Sequence, residues 1–294
     1  MSAKTVPAVL VLAAVLVAAC GPGATGTPGA SSGPGSSPVP SPSAAAAALL
    51  LRITSEGGFI GPAASLAAIP TVSVYADGRV MTPGAIDTIY PGPLLPPVAI
   101  RDVGPAGAAA IVAAIRAAGL DKTSTAGPGI PGDTGTTVFA VNVDGAVVTT
   151  RIALGGGGPG LPGGGNPDPA AIAAKALMDR LTDPTETWGA ANVPQSVLVP
   201  TAYRVYVAPG APSGDGSTSQ PAVQWPLSTP LDQFGVPANP DRGITGLRQG
   251  AVFGADAAVL GPVLQAANSQ TAFISGSNLY TLYVRPLLPD EVPA

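Results

Sequence analysis

Hydrophobic and polar positions divide the chain into three textures. Residues 6–19 are apolar or small without a charge. Residues 21–43 are glycine, proline, serine, threonine and alanine, with Val39 their one large apolar side chain. From about Ala46 regular periodicities begin. The run Ala48–Ile53 predicts a strand, and residues 70–83 predict a hairpin: Val72 and Val74 share one face, Ser73 and Tyr75 the other, with Asp77-Gly78 as a two-residue turn. Residues 102–121 then switch to helical spacing. Ala108, Ile111, Val112 and Ile115 form the apolar stripe, Pro105 suits the first turn, and Asp102 complements the helix start. Gly119 ends the helix, and Leu120 folds back onto it.

The same order of events recurs. Residues 136–154 predict a second hairpin turning at Asp144-Gly145. Residues 166–183 predict a second helix with Asp168 as N-cap, Pro169 in the first turn, and Ile172, Ala173, Ala176 and Leu177 inward. Gly78 precedes Pro105 by about the interval that separates Gly145 from Pro169, which points to a duplicated hairpin–helix unit or to convergent local grammar. Beyond Pro194 the texture changes. Residues 196–200, 201–209 and 246–254 read as short strands, with a loop at 210–221 and a mostly irregular stretch running to Arg242. Residues 255–268 read as a helix that Gly261-Pro262 bends or divides, and residues 278–291 as a closing strand that alternates Tyr280, Leu282 and Val284 against Leu279, Thr281 and Tyr283. Hairpins followed by single helices predict an α+β fold, with antiparallel sheets and helices layered on one face. The expected divisions are 1–19, 20–44, an α+β unit at 45–193 and a second at 194–294.

The N-terminus changes the picture most. Lys4 precedes an apolar run shorter than the roughly 20 residues of a membrane-spanning helix. A basic start, an apolar centre and small residues before Gly21-Pro22 describe a secretory signal peptide. Val17-Ala18-Ala19-Cys20 resembles the lipobox of bacterial lipoproteins. The resemblance implies diacylglyceryl transfer to the Cys20 sulfur, cleavage before Cys20 and anchoring at the extracytoplasmic face of the membrane. Two or more acyl chains hold a protein stably where one does not. Residues 20–44 then form a tether that cannot offset its own ordering entropy, with a mean span of roughly 25–30 Å.

Composition narrows the chemistry. The chain has no histidine, and its only cysteine is Cys20, so Ser-His-Asp and Cys-His catalysis and thiolate or imidazole metal sites are excluded. Cleavage removes Lys4, one of 13 basic residues, and takes the formal charge from −4 to −5. With no basic cluster, nucleic acid is not an expected partner. A Ser–Lys dyad would have to use Lys122 or Lys175, and no Ser-x-x-Lys occurs. Gly155, Gly157 and Gly160 match Gly-x-Gly-x-x-Gly, but Pro159 interrupts them and no helix follows directly, so a loop is expected rather than a phosphate cradle. No cofactor and no metal site is expected.

Acidic residues remain as candidate catalytic groups. Asp77, Asp102, Asp144 and Asp168 have turn or helix-start roles. Glu56, between Ser55 and two glycines, and the pair Asp183 and Glu186 beside Trp188 are the candidates. Aromatic residues gather late, at Tyr203, Tyr206, Trp225, Phe234, Tyr280 and Tyr283, which places a ligand groove in the last third if there is one. The resulting expectation is a lipid-anchored protein with a binding or structural role toward an unidentified protein or small molecule. The alternatives are a cell-envelope hydrolase using acidic residues, or the solute-binding lipoprotein of a transporter.

Overall fold

The computed structural model describes residues 48–57, 65–87, 90–122, 135–152, 169–213, 220–239 and 243–293. Cys20, Asp168 and the glycine tract 155–160 lie outside the described residues. Residues 44–294 form one compact unit. Its described elements are α+β, as expected, and include two mainly antiparallel sheets and three long helices.

The first sheet is built from β1 (Leu49–Glu56), β2 (Val72–Tyr75), β3 (Arg79–Pro83), β4 (Val98–Asp102), β5 (Thr136–Val141), β6 (Val148–Ile152) and β7 (Gln195–Val197). Its strand order is β6-β5-β1-β2-β3-β4-β7, and every pairing is antiparallel. Thus β1 is central, with the two expected hairpins on either side of it. Helices α1 (Gly104–Ala117) and α2 (Pro169–Thr182) cover one face. There Leu51, Ile53, Val72, Val74, Phe139 and Ile152 meet Ile111, Ile115, Leu177 and Leu181 in a single buried cluster.

The hairpins form, but not through two-residue Asp-Gly turns. In the first, the Gly78 N–H donates to the Tyr75 carbonyl at 3.0 Å, which centres the turn on Ala76-Asp77. Gly78 follows at φ 96°, and a Cβ there would lie 2.4 Å from the Gly104 backbone. In the second, Val141 pairs with Val148, so residues 142–147 form a longer loop around Asp144-Gly145. The Val103 N–H binds the Gly78 carbonyl at 3.0 Å, and this docking onto the start of α1 fixes the first turn's shape.

Helix α1 closes as expected. Asp102 Oδ1 accepts from the Gly104 N–H at 2.9 Å. At the other end the Leu120 N–H reaches the Ile115 carbonyl and the Gly119 N–H the Arg116 carbonyl, with Gly119 at φ 70°. This is the glycine-terminated helix end, with Leu120 buried as its apolar partner. Helix α2 departs from expectation. Ala174, Leu177 and Leu181 face inward, while Ile172 is 55% exposed and Ala176 is exposed. Alanines on several sides of this helix gave the pattern more than one apolar face, and the larger leucines select the one that is buried.

The second sheet runs β10-β11-β8-β13-β12-β9, from β8 (Tyr203–Pro209), β9 (Val223–Gln224), β10 (Val236–Pro237), β11 (Arg248–Val252), β12 (Ala272–Ser275) and β13 (Asn278–Pro286). Among the described strands, only the β9–β12 pairing is parallel. The closing strand β13 is interior, and it buries Tyr280, Leu282 and Val284 as its alternation predicts. Helix α3 (Gly254–Ala266) covers this face with Ala257, Leu260 and Leu264. It runs undivided through Pro262, whose exposed ring leaves the packed side intact.

Chain segments cross the boundary near residue 194 in both directions. Leu94, from the loop between β3 and β4, joins the buried cluster under α3. The Leu94 N–H binds the Ala267 carbonyl at 3.1 Å. Leu288, after β13, is fully buried with Tyr75, Met81 and Val98 on the other face of the first sheet. The tail's 3₁₀ turn, Pro289–Glu291, is held by charge. Asp290 Oδ1 accepts from Arg52 at 2.8 Å and from the Tyr75 hydroxyl at 2.6 Å, while Arg285 grips both Glu291 oxygens at 2.7 Å.

Candidate functional site

Glu56 ends β1 at the surface. Its carboxylate is 53% exposed and lies 3.4 Å from an equally exposed Arg151 guanidinium. Pairs of this kind contribute little, about 0–1 kcal/mol. The position offers no enclosed acid–base pair.

Asp183 and Glu186 are brought together in the turn that follows α2, with their oxygens engaged locally. Asp183 Oδ1 accepts from the Thr185 N–H at 2.8 Å and from its hydroxyl at 2.7 Å, and these bonds hold its carboxyl below the usual range. Glu186 accepts from Arg180 at 3.0 Å and from the Trp188 N–H at 2.9 Å, with the same result. The Arg180 guanidinium also lies 4.1 Å over the Trp188 ring. The turn serves a buried cation that the sequence reading missed. Arg101 on β4 is 3% exposed and donates to the carbonyls of Leu181, Asp183 and Glu186. Burial draws its pKa below the usual arginine value. A guanidinium satisfies several carbonyls at a helix end and complements its dipole.

Among the described residues, two concave surfaces lie in the last third. One groove, of about 700 Å³, runs along α3 between residues 200–203 and the tail. Phe253, Ala258, Pro262, Val292 and Pro293 line it, and Tyr203 forms part of its floor. Tyr203 is almost wholly buried and its hydroxyl pKa is pushed up by that burial. Gly261 brings α3 close to it, since a Cβ there would lie 2.6 Å from the tyrosine oxygen. Among the described residues, no charged side chain lines this groove. A second groove, of about 780 Å³, lies over the other end of the sheet beside Asp232, Arg248 and Tyr280. Its Arg248 is occupied by the carbonyls of Phe234 and Gly235 at 2.8 and 3.0 Å.

The predicted aromatic residues serve mainly as core. Trp225 packs edge-on against Phe234 and Phe273, with centroids 5.9 and 6.3 Å away. Besides Tyr203, the first groove is lined by Phe253, 38% exposed, which the sequence reading did not single out. Its one signal is position: it stands between the last residue of β11 and the first of α3, where no polar side chain caps the helix. Among the described residues no group of three or more acidic, histidine or cysteine side chains is placed to hold a metal ion. Among them, too, no helix is long and apolar enough to cross a membrane. The chain matches no protein-family model, no curated protein and no solved structure.

Proposed function

We infer that this is a lipoprotein, anchored through Cys20 at the extracytoplasmic face of the membrane, whose α+β unit binds a ligand without transforming it. The observation that carries the reading is the Val17-Ala18-Ala19-Cys20 motif at the end of an uncharged apolar run, followed by the charge-free tract 21–43. The binding role is supported by two open grooves in the last third and by candidate carboxylates with local structural partners. A rival envelope hydrolase would need two carboxyl groups across a cleft. Glu56 lines neither groove, and of the three candidates only Asp183 and Glu186 stand together, in a solvated turn.

Replacing the thiol tests the anchor. Expressed in a bacterium that processes lipoproteins, wild type is expected to enter the detergent phase on phase partition as a form cleaved at Cys20. The Cys20→Ala chain is expected to keep its leader and to incorporate no labelled fatty acid. Equal fatty-acid labelling of both chains would contradict the proposal.

A further inference from the structure

We propose that β7 is a pairing edge onto which a second copy of this chain adds its own β7, antiparallel, about a two-fold axis at Val197. The proposal rests on neither the anchor nor the grooves. β7 is the last strand of the first sheet. The Leu198 N–H binds the Val98 carbonyl at 2.8 Å, and the Asp102 N–H binds the Pro194 carbonyl at 3.2 Å. Even-numbered residues therefore face β4, and the N–H and C=O groups of Gln195, Val197 and Val199 point away from the sheet. Among the described residues no hydrogen bond engages those outward groups. Such a row is a template for another strand, and sheets ordinarily block it with charge, proline or shortness. The other edges show these devices: β6 carries the exposed Arg151, and β9 and β10 are two residues long, β10 with Pro237. The ladder of β7 runs from Pro194 to Leu198, and no charged residue occurs between Glu186 and Arg204. Its valines are bare, Val197 63% and Val199 81% exposed.

Charge and the position of the grooves select the occupant. The chain is acidic, with 17 acidic residues against 13 basic ones, so two copies approach most easily where charge is absent. Antiparallel pairing centred on Val197 sets that valine against its twin and Gln195 against Val199, with no like charges opposed. A foreign peptide added to a sheet edge is recognised through pockets for its alternate side chains. Neither groove includes a residue from 195–199. A second copy needs no such pocket, because the strand complements itself.

A strand pair this short is smaller than a standard interface of about 800 Å² per partner, so a weak dimer is expected, with a dissociation constant on the order of 10–100 μM. The test follows the full-length protein in nonionic detergent by sedimentation velocity, from about 1 to about 500 μM. Its mass is expected to pass from monomer to dimer within that range. Val197→Pro removes an outward N–H that β4 does not use, and is expected to weaken association about tenfold with unchanged thermal unfolding. Val197→Lys and Val197→Glu are each expected to remain monomeric, because like charges meet at the axis, whereas an equimolar mixture of the two is expected to associate. Val147→Lys, at an exposed position just before β6, is expected to change nothing. A dimer that Val197→Pro leaves intact, or a Lys and Glu mixture that stays monomeric, would overturn the proposal. A monomer at every concentration would do the same. If hydrogen exchange at Val197 and Val199 in host membranes were then still slow, the edge would belong to a different partner.

Discussion

Arg101 is buried with its guanidinium on three carbonyls, one in the last turn of α2 and two in the turn that follows it. Arg101→Ala strips those acceptors of their donor in a dry setting, and a destabilisation of about 3 kcal/mol is expected in urea unfolding. Arg101→Lys is expected to recover less than half of that, because an ammonium lacks the planar fork. By contrast, Glu56→Gln should change stability by no more than about 0.5 kcal/mol, since its ion pair is solvated. A larger loss would mean that Glu56 does more than its exposed pair implies. Neither role was legible in the sequence. A lone arginine in "VAIRDV" reads as a strand-edge charge, and only the fold shows that α2 ends above it. The turn carboxylates Asp183 and Glu186 stood out beside Trp188 for a related reason. They shape the loop whose carbonyls Arg101 binds.

At the scale of elements, helix ends and strand alternation were legible because they depend on neighbours in sequence. Gly119 with Leu120, and Tyr280 with Leu282 and Val284, obey local rules that the structure realises. The inward face of α2 was not legible, because it depends on which leucines the sheet accepts. Strands β4 and β12 were missed for a similar reason. Residues 98–102 run directly into the helix signals of α1, and 272–275 are too short to declare a period. Two substitutions test the local rules. Gly119→Ala is expected to cost about 1 kcal/mol, read as a lower urea midpoint, because φ 70° disfavours a side chain. Pro262→Ala is expected to raise stability by up to about 3 kcal/mol by restoring a bond inside α3.

For the whole molecule, two exchanged leucines and a charged latch tie the halves together. Leu94 is buried with the second sheet, and Leu288 with the first. Glu291 links β13 to the tail through the paired bonds from Arg285. Burial pushes its pKa upward, but the Arg285 pair and the Leu288 N–H outweigh burial and hold it below the usual glutamate value. A depressed carboxyl contributes stability above its unfolded pKa, near 4.5, and that contribution is lost as pH falls through the folded value. Glu291→Gln should therefore be less stable than wild type at pH 7, with the difference shrinking from about pH 5 down to pH 3. A constant difference across that window would assign the loss to packing instead. The address of the protein stands apart from all of this, because it depends on one sulfur outside the described residues. Intact-mass measurement of protein purified from its own host tests it most directly. The account predicts a chain that begins at Cys20 and carries the added mass of a diacylglyceryl group. A chain that begins at Met1 with a free thiol would contradict it.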